Sequence, residues 1–198
     1  MDTISSLRSR IRVLRDENRK LMDIVKTLEL DRLTHLPNRS AGERMVEAEI
    51  DRSLRSKSIM YISAAFVDIN NLKYFNDKHG HTVGDAFIRA VAEAITETKR
   101  AYDIAYRFGG DEFVIILPDV DSGMAKHFAV RLSEAVSKKR IILNGSRAVN
   151  ASAAIGLHTI SNMDFDSVEA AKDALINCAD RDMYINKNEK RDVRKRRR

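Results

Sequence analysis

Residues 59–68 constrain the fold of this chain more than any other stretch. The run holds Ile59, Met60, Tyr61, Ile62, Phe66 and Val67 and ends at Asp68. Apolar, β-branched and aromatic residues follow one another with little alternation, which predicts a central strand buried on both faces, with helices packed on each side. A carboxylate at the end of such a strand has no packing role. A second apolar run, Phe113 to Leu117, stops at Pro118, and a shorter one, Ile104 to Tyr106, precedes it. Between these two lie Arg107, Phe108, Gly109, Gly110, Asp111 and Glu112. Strand, glycine pair, strand reads as a β-hairpin. The glycines are expected to supply positive φ at the turn and to let a ligand approach the backbone. Adjacent strand residues face opposite ways, so Asp111 and Glu112 are expected to do different work.

Helical patterns flank these strands. Asn38 or Ser40 can cap a helix over about residues 39–56. Thr82 or Asp85 is expected to open another through about Lys99, with Phe87, Ile88, Val91, Ala92 and Ile95 on its apolar face. A third covers 121–139, with Met124, Phe128, Ala129, Leu132 and Val136 inward, and a last covers 166–187, with Val168, Ala171, Leu175, Cys178 and Met183 inward. Asn144-Gly145 predicts a two-residue hairpin turn joining residues 141–143 to the run 148–158. Val193 is expected to begin a short final strand.

The N-terminus has a different period. Ile4, Ile11, Asn18 and Val25 alternate at spacings of three and four with Leu7, Leu14, Leu21 and Leu28. A β-branched and leucine seam with one polar layer at Asn18 predicts a parallel two-stranded coiled coil. The alternative, a helix packed on its own domain, calls for a broader apolar stripe. The coil would be about 35–40 Å long. The segment Asp31 to Arg39 breaks the heptad at Thr34, Pro37 and Asn38 and reads as a hinge.

The chain of 198 residues is 43% hydrophobic, enough for one domain and an appendage. No apolar run reaches the roughly 18 residues of a membrane span, and the polar start does not resemble a signal peptide. One cysteine, Cys178, excludes an internal disulfide and fits a cytoplasmic protein. The net charge of +6 is accounted for by residues 187–198, with eight basic and two acidic side chains. The rest is near neutral, so no specific nucleic-acid partner is expected.

Four stretches in order resemble the diguanylate cyclase, or GGDEF-domain, family. Asp31 to Arg39 resembles its DxLTxLxNR entry. Residues 68–85 resemble DxDxFKxxND followed by GHxxGD, with Asn70 for the second Asp and Leu72 for the usual Phe. Residues 107–113 read RFGGDEF. Residues 179–187 resemble ADxA[LM]YxAK, but Lys190-Arg191-Asp192 replaces the usual GRN. The resemblance covers about residues 31–193. It implies a palm-like α/β (α+β) nucleotide-cyclase fold, a mostly antiparallel central sheet surrounded by helices, preceded here by the coil. The expected division is 1–30 dimerisation helix, 31–193 GGDEF domain and 194–198 basic tail.

The resemblance also implies the chemistry: two GTP condensed to cyclic di-GMP and two pyrophosphates, one GTP per domain of a homodimer. Asp68, Asp111, Glu112 and the backbone carbonyl of Ile69 would bind Mg²⁺ or Mn²⁺. Glu112 would bind metal or help remove the 3′-hydroxyl proton. Asn76 and Asp85 would read guanine, whose two adjacent donors suit a carboxylate; a turn cap and a helix cap are the alternatives. Leu72, Gly109 and Gly110 would line the nucleotide. Lys73, Lys187 and Arg191 would hold phosphates. Arg100 and Asp103, an RxxD pattern with five residues between it and Gly109, and Arg131 would form an inhibitory product site; a surface ion pair is the alternative. The rival activities are a non-catalytic cyclic di-GMP receptor and an adaptor acting through coil and tail. No sensor domain is recognisable, so input is expected from an upstream domain or partner.

Overall fold

The computed structural model describes the backbone of residues 2–143 and 147–196 and the side chains of residues 6–19, 28–143 and 147–188. In chain order the elements are α1 Asp2–Leu28, α2 Arg39–Leu54, β1 Tyr61–Ile69, α3 Leu72–His79, α4 His81–Thr98, β2 Ile104–Arg107 and β3 Glu112–Pro118. There follow α5 Ser122–Lys138, β4 Arg140–Ile142, β5 Ala148–Asn150, β6 Ala153–Ser161 and α6 Val168–Arg196.

The main sheet runs β2-β3-β1-β6, and every pairing in it is antiparallel. The central strand is β1, as its composition predicts, though it starts at Tyr61 and leaves Ile59 exposed. Alternation along β1 and β3 sorts the core into two layers. Ala65, Val67, Phe113, Ile115 and Leu117 join α4 and α5 residues such as Phe87, Ile95 and Leu132. Ile62, Ala64, Phe66, Val114 and Ile116 join α2 and α6 residues such as Ile50, Ala171 and Leu175. Each fully buried Ile, Leu or Phe contributes about 1.5–3 kcal/mol. Continuing the same alternation, Asp68 and Glu112 fall on the α2/α6 face.

The helices mostly follow their caps. The Asn38 side chain accepts from Ala41 N–H at the start of α2, and Asp121 does so from Met124 N–H at α5. Counting from Asp121, Ala125, Phe128, Leu132 and Val136 form the buried stripe, which leaves Met124 exposed, contrary to expectation. Likewise Ala179 is fully buried on α6 and Cys178 only half-buried. Neither Thr82 nor Asp85 opens α4. Gly80 ends α3 and precedes α4 at φ 86° and ψ 161°, a region essentially reserved for glycine, so the chain turns there and α4 starts at His81.

Two further expectations are corrected. Residues 148–158 are not one strand: β5 pairs with β4 in a separate small sheet, and β6 joins β1. Between them Ala151 N–H binds Lys139 C=O while Ser152 C=O receives Asn70 N–H, so the chain changes partner there. The β4–β5 register leaves three residues, not two, between Leu143 and Arg147. Those three, including Asn144 and Gly145, lie outside the described residues. No strand begins at Val193, because α6 continues to Arg196. No glycine or proline follows Gly156, so nothing in the sequence stops the helix.

The helix α1 spans the heptad segment, and Leu7, Ile11 and Leu14 are exposed on it rather than packed on the domain. Among the described residues no helix is long and apolar enough to cross a membrane.

Candidate active site

The strands bring the expected carboxylates to one end of the sheet. Asp68 and Glu112 are register partners across β1 and β3. The Ile69 N–H donates to Asp111 C=O at 3.1 Å, so the next pair inward, Asp68 with Glu112, is the closer, non-hydrogen-bonded type. Two like charges directly opposite repel. Asp68 is 7% exposed, and its Oδ1 lies 2.5 Å from the Lys187 ammonium on α6. Burial pushes the Glu112 carboxyl above its usual range; Asp111, Asp68 and Asp180 push it further, and Lys187 opposes them. Among the described residues the site therefore gathers negative charge around the Lys187 ammonium.

The glycine pair works differently from the expectation. Neither Gly109 nor Gly110 lies in the positive-φ region. A Cβ on Gly109 would stand 2.5 Å from Glu112 Oε2, whereas one on Gly110 would meet nothing within 4 Å. Gly109 thus makes room for the Glu112 carboxylate, and Gly110 leaves the turn open to solvent. The turn closes through Phe108 and Gly109 N–H groups donating to Glu112 C=O.

Arg107 holds this turn from below. Its guanidinium donates to Gly109 C=O at 3.1 Å, to Gly110 C=O at 2.6 Å and to both carboxylate oxygens of Asp31. Burial tends to raise the Asp31 carboxyl, but hydrogen bonds from Thr34 and the charge of Arg107 outweigh it, and the net shift is downward. The 31–39 segment and the turn are thereby one hydrogen-bonded unit. Sequence reasoning gave Arg107 no role; partners 76 residues apart carry no local signal.

On α3, Leu72 is buried in the core with Leu36 and Phe87, while Lys73 is exposed, with no ion-pair partner among the described residues. The Asn76 carboxamide lies against Gly84, where a Cβ would approach Asn76 Oδ1 to 1.8 Å. That Oδ1 is buried and accepts no hydrogen bond from the described residues. Asp85, next in α4, is half-buried. Neither side chain caps a helix.

Lys187 rides on a helix pinned to the sheet edge. Asp182 accepts from Leu157 N–H at 2.8 Å, and Asn186 donates to Ile155 C=O at 3.1 Å. Between them Gly156 admits the helix backbone, since a Cβ there would stand 2.0 Å from Met183 N. Arg191 is in the α6 backbone, but its side chain lies outside the described residues.

Arg100, Asp103 and Arg131 line one pocket with Leu117, Val120, Met124 and Phe128. Asp103 is 4% exposed; its Oδ2 accepts from the Arg100 backbone N–H at 2.6 Å, and its Oδ1 is buried with no hydrogen-bond partner among the described residues. The Arg100 guanidinium instead donates to Tyr102 Oη at 2.9 Å, and that of Arg131 lies over the Phe128 ring. The surface ion pair is therefore not what forms.

Residues 28–193 match the family described as "Diguanylate cyclase, GGDEF domain". The chain belongs to this family. It is 31% identical over 173 residues to the probable diguanylate cyclase DgcE of Escherichia coli, covering 87% of this chain and 15% of that protein. It is 29% identical over 158 residues to the E. coli diguanylate cyclase DgcZ, covering 80% and 50%. The chain thus spans half or less of the length of these relatives. Among solved structures it is similar to the SiaD diguanylate cyclase of Pseudomonas aeruginosa, determined with its activator SiaC, at 26% identity and a TM-score of 0.72, covering 95% of this chain and 70% of that one. The coiled coil and GGDEF domain of Caulobacter crescentus DgcB, in complex with c-di-GMP, share the fold at a TM-score of 0.79 and 22% identity, covering 96% of each chain. The GGDEF fold here is mixed α/β with a central antiparallel sheet, as its sequence implied.

Among the described residues no group of three or more His, Cys, Asp or Glu side chains can enclose a metal. The carboxylates at the strand ends suit instead a hard cation that completes its shell with water and phosphate oxygens, as Mg²⁺ and Mn²⁺ do.

Proposed function

We propose that this chain is a diguanylate cyclase that condenses two GTP into cyclic di-GMP and two pyrophosphates, each domain holding one GTP and two domains facing each other. The observation that carries the reading is the pairing of Asp68 with Glu112 at the end of the central strands, beside Asp111 and above an open Gly-Gly turn. In each half-reaction the 3′-hydroxyl oxygen of one GTP bonds to the α-phosphorus of the other. The bond from that phosphorus to the bridging oxygen breaks, pyrophosphate leaves, and the hydroxyl proton is lost.

Asp68, Asp111, Glu112 and the Ile69 carbonyl would hold Mg²⁺ or Mn²⁺, which when bound supplies charge neutralisation of the triphosphate. Glu112 shares that metal or takes the hydroxyl proton. Gly110 leaves the backbone accessible to nucleotide. Asn76, whose buried oxygen has no partner among the described residues, and Asp85 bind the guanine edge, with Leu72 behind them. Lys73, Lys187 and Arg191 take phosphate oxygens.

The α1 heptad dimerises in parallel, which raises the effective concentration of the second domain; its exposed Leu7, Ile11 and Leu14 support this. Residues 1–30, 31–193 and 194–198 act as coil, catalytic domain and basic tail, with input from an upstream domain or partner in the cytoplasm. Product inhibits through Arg100, Asp103 and Arg131, where the unpartnered Asp103 Oδ1 suits a guanine donor and the two arginines its acceptors.

The test is incubation with GTP and Mg²⁺, with nucleotides resolved by chromatography. Cyclic di-GMP from the wild type but not from Asp111→Ala is expected. No product, with cyclic di-GMP binding that is lost in Arg100→Ala, would replace the cyclase with a receptor.

A further inference from the structure

We propose that Lys187 is the resident counter-ion of the carboxylate site, and that it passes from Asp68 to the triphosphate when nucleotide and divalent cation arrive together. This rests on the reading of Asp68 as a metal ligand. The ammonium lies 2.5 Å from Asp68 Oδ1, and the two side chains are only 20% and 10% exposed. Lys139 and Lys172, by contrast, pair with largely exposed glutamates, and Lys73 has no ion-pair partner among the described residues.

The geometry separates a fixed root from a movable head. Asp182 and Asn186 fasten α6 to β6 directly before Lys187, with Gly156 setting the close approach. The lysine stem then carries a compact charge on flexible methylenes, able to swing between two anions without moving the helix. Without nucleotide, a divalent cation must displace this ammonium and leave it half-buried without its contact to Asp68. With nucleotide, the displaced ammonium gains phosphate oxygens. Metal and nucleotide should therefore bind cooperatively, each tightening the other by the same factor.

The experiment titrates Mn²⁺ alone, followed by the paramagnetic resonance of the free ion, and repeats it with 3′-deoxy-GTP, which lacks the nucleophile. For the wild type, the nucleotide should tighten Mn²⁺ binding by roughly 5- to 150-fold. Lys187→Met should bind Mn²⁺ alone about tenfold more tightly than wild type and lose most of that coupling. Lys187→Arg, which keeps a cation there, should bind Mn²⁺ alone as weakly as wild type. Lys73→Met removes the same charge without breaking an ion pair and, in the titration without nucleotide, should leave the binding of Mn²⁺ alone within about twofold. Circular dichroism checks that each variant is folded.

Lys187→Met binding Mn²⁺ no more tightly, or Lys73→Met tightening it equally, overturns the proposal. Asp68→Asn separates the two failures. If it leaves Mn²⁺ binding intact, the metal reading itself falls. If it abolishes binding while Lys187→Met has no effect, only the hand-over falls.

Discussion

The two acid-and-base clusters of this domain solve opposite problems. At the strand ends Lys187 sits on Asp68, and the cluster is partly neutralised from within. In the RxxD pocket the charges are kept apart: Asp103 spends one oxygen on a backbone N–H, Arg100 turns to Tyr102, and Arg131 lies over Phe128. On the metal-binding reading, the first arrangement must be opened before a cation reaches Asp68. The second already offers acceptors and donors to a ligand that carries both, such as a guanine edge. The difference arises from backbone context. Asp68 is the end of a central strand facing a helix that carries a lysine, whereas Asp103 is bent back onto the turn between α4 and β2.

The comparison can be broken in several places. Asp68→Asn removes the shared ligand of the first cluster and should lower cyclisation by at least about a hundredfold, the scale of losing one charge-stabilising group; chromatography of product reads it. Gly109→Ala forces the Glu112 carboxylate aside and should cost on the order of tenfold or more through misplacement, while Gly110→Ala, facing open space, should cost far less; parallel rate measurements decide. A similar loss in both would show that the Glu112 contact does not matter.

Arg100→Ala tests the second cluster. Cyclic di-GMP affinity, read by calorimetry, should fall about tenfold, and by more than the initial rate does. The smallest effect is on stability against pH. Folding raises the Glu112 carboxyl, so the folded chain holds its proton more tightly and stability declines as pH rises from the ordinary carboxylate range through the raised value. Asp31 is lowered, so its contribution is present above the ordinary carboxylate range and fades as pH falls through the depressed value. Thermal melts of Glu112→Gln and Asp31→Asn should therefore change the pH slope in opposite directions; slopes that shift the same way would refute the assignment.

What the sequence made legible was local or periodic. The run ending at Asp68, apolar with little alternation, predicted a central strand buried on both faces, and Asn38 announced its helix. What it hid was long-range or stereochemical. Arg107 and Asp31 find each other only after folding. The Gly109-Gly110 pair looked like a positive-φ turn, yet the glycine at 109 is there to clear a carboxylate. Gly156 reads as an ordinary strand residue until α6 is laid across it. The Asn76 oxygen left without a partner among the described residues, and Asp180 acting on Glu112 from another element, had no signature at all.

The antiparallel register between Asp68 and Glu112 has one more consequence. Their separation is a property of the ladder, not of a loop, so it cannot be widened or narrowed without unzipping the central strands. A half-site wired into the sheet leaves regulation little to reshape inside one domain. On the two-GTP reading, the adjustable quantity is the gap between two rigid halves, and an effector acting on the N-terminal helix would behave as a clutch that engages or parts them.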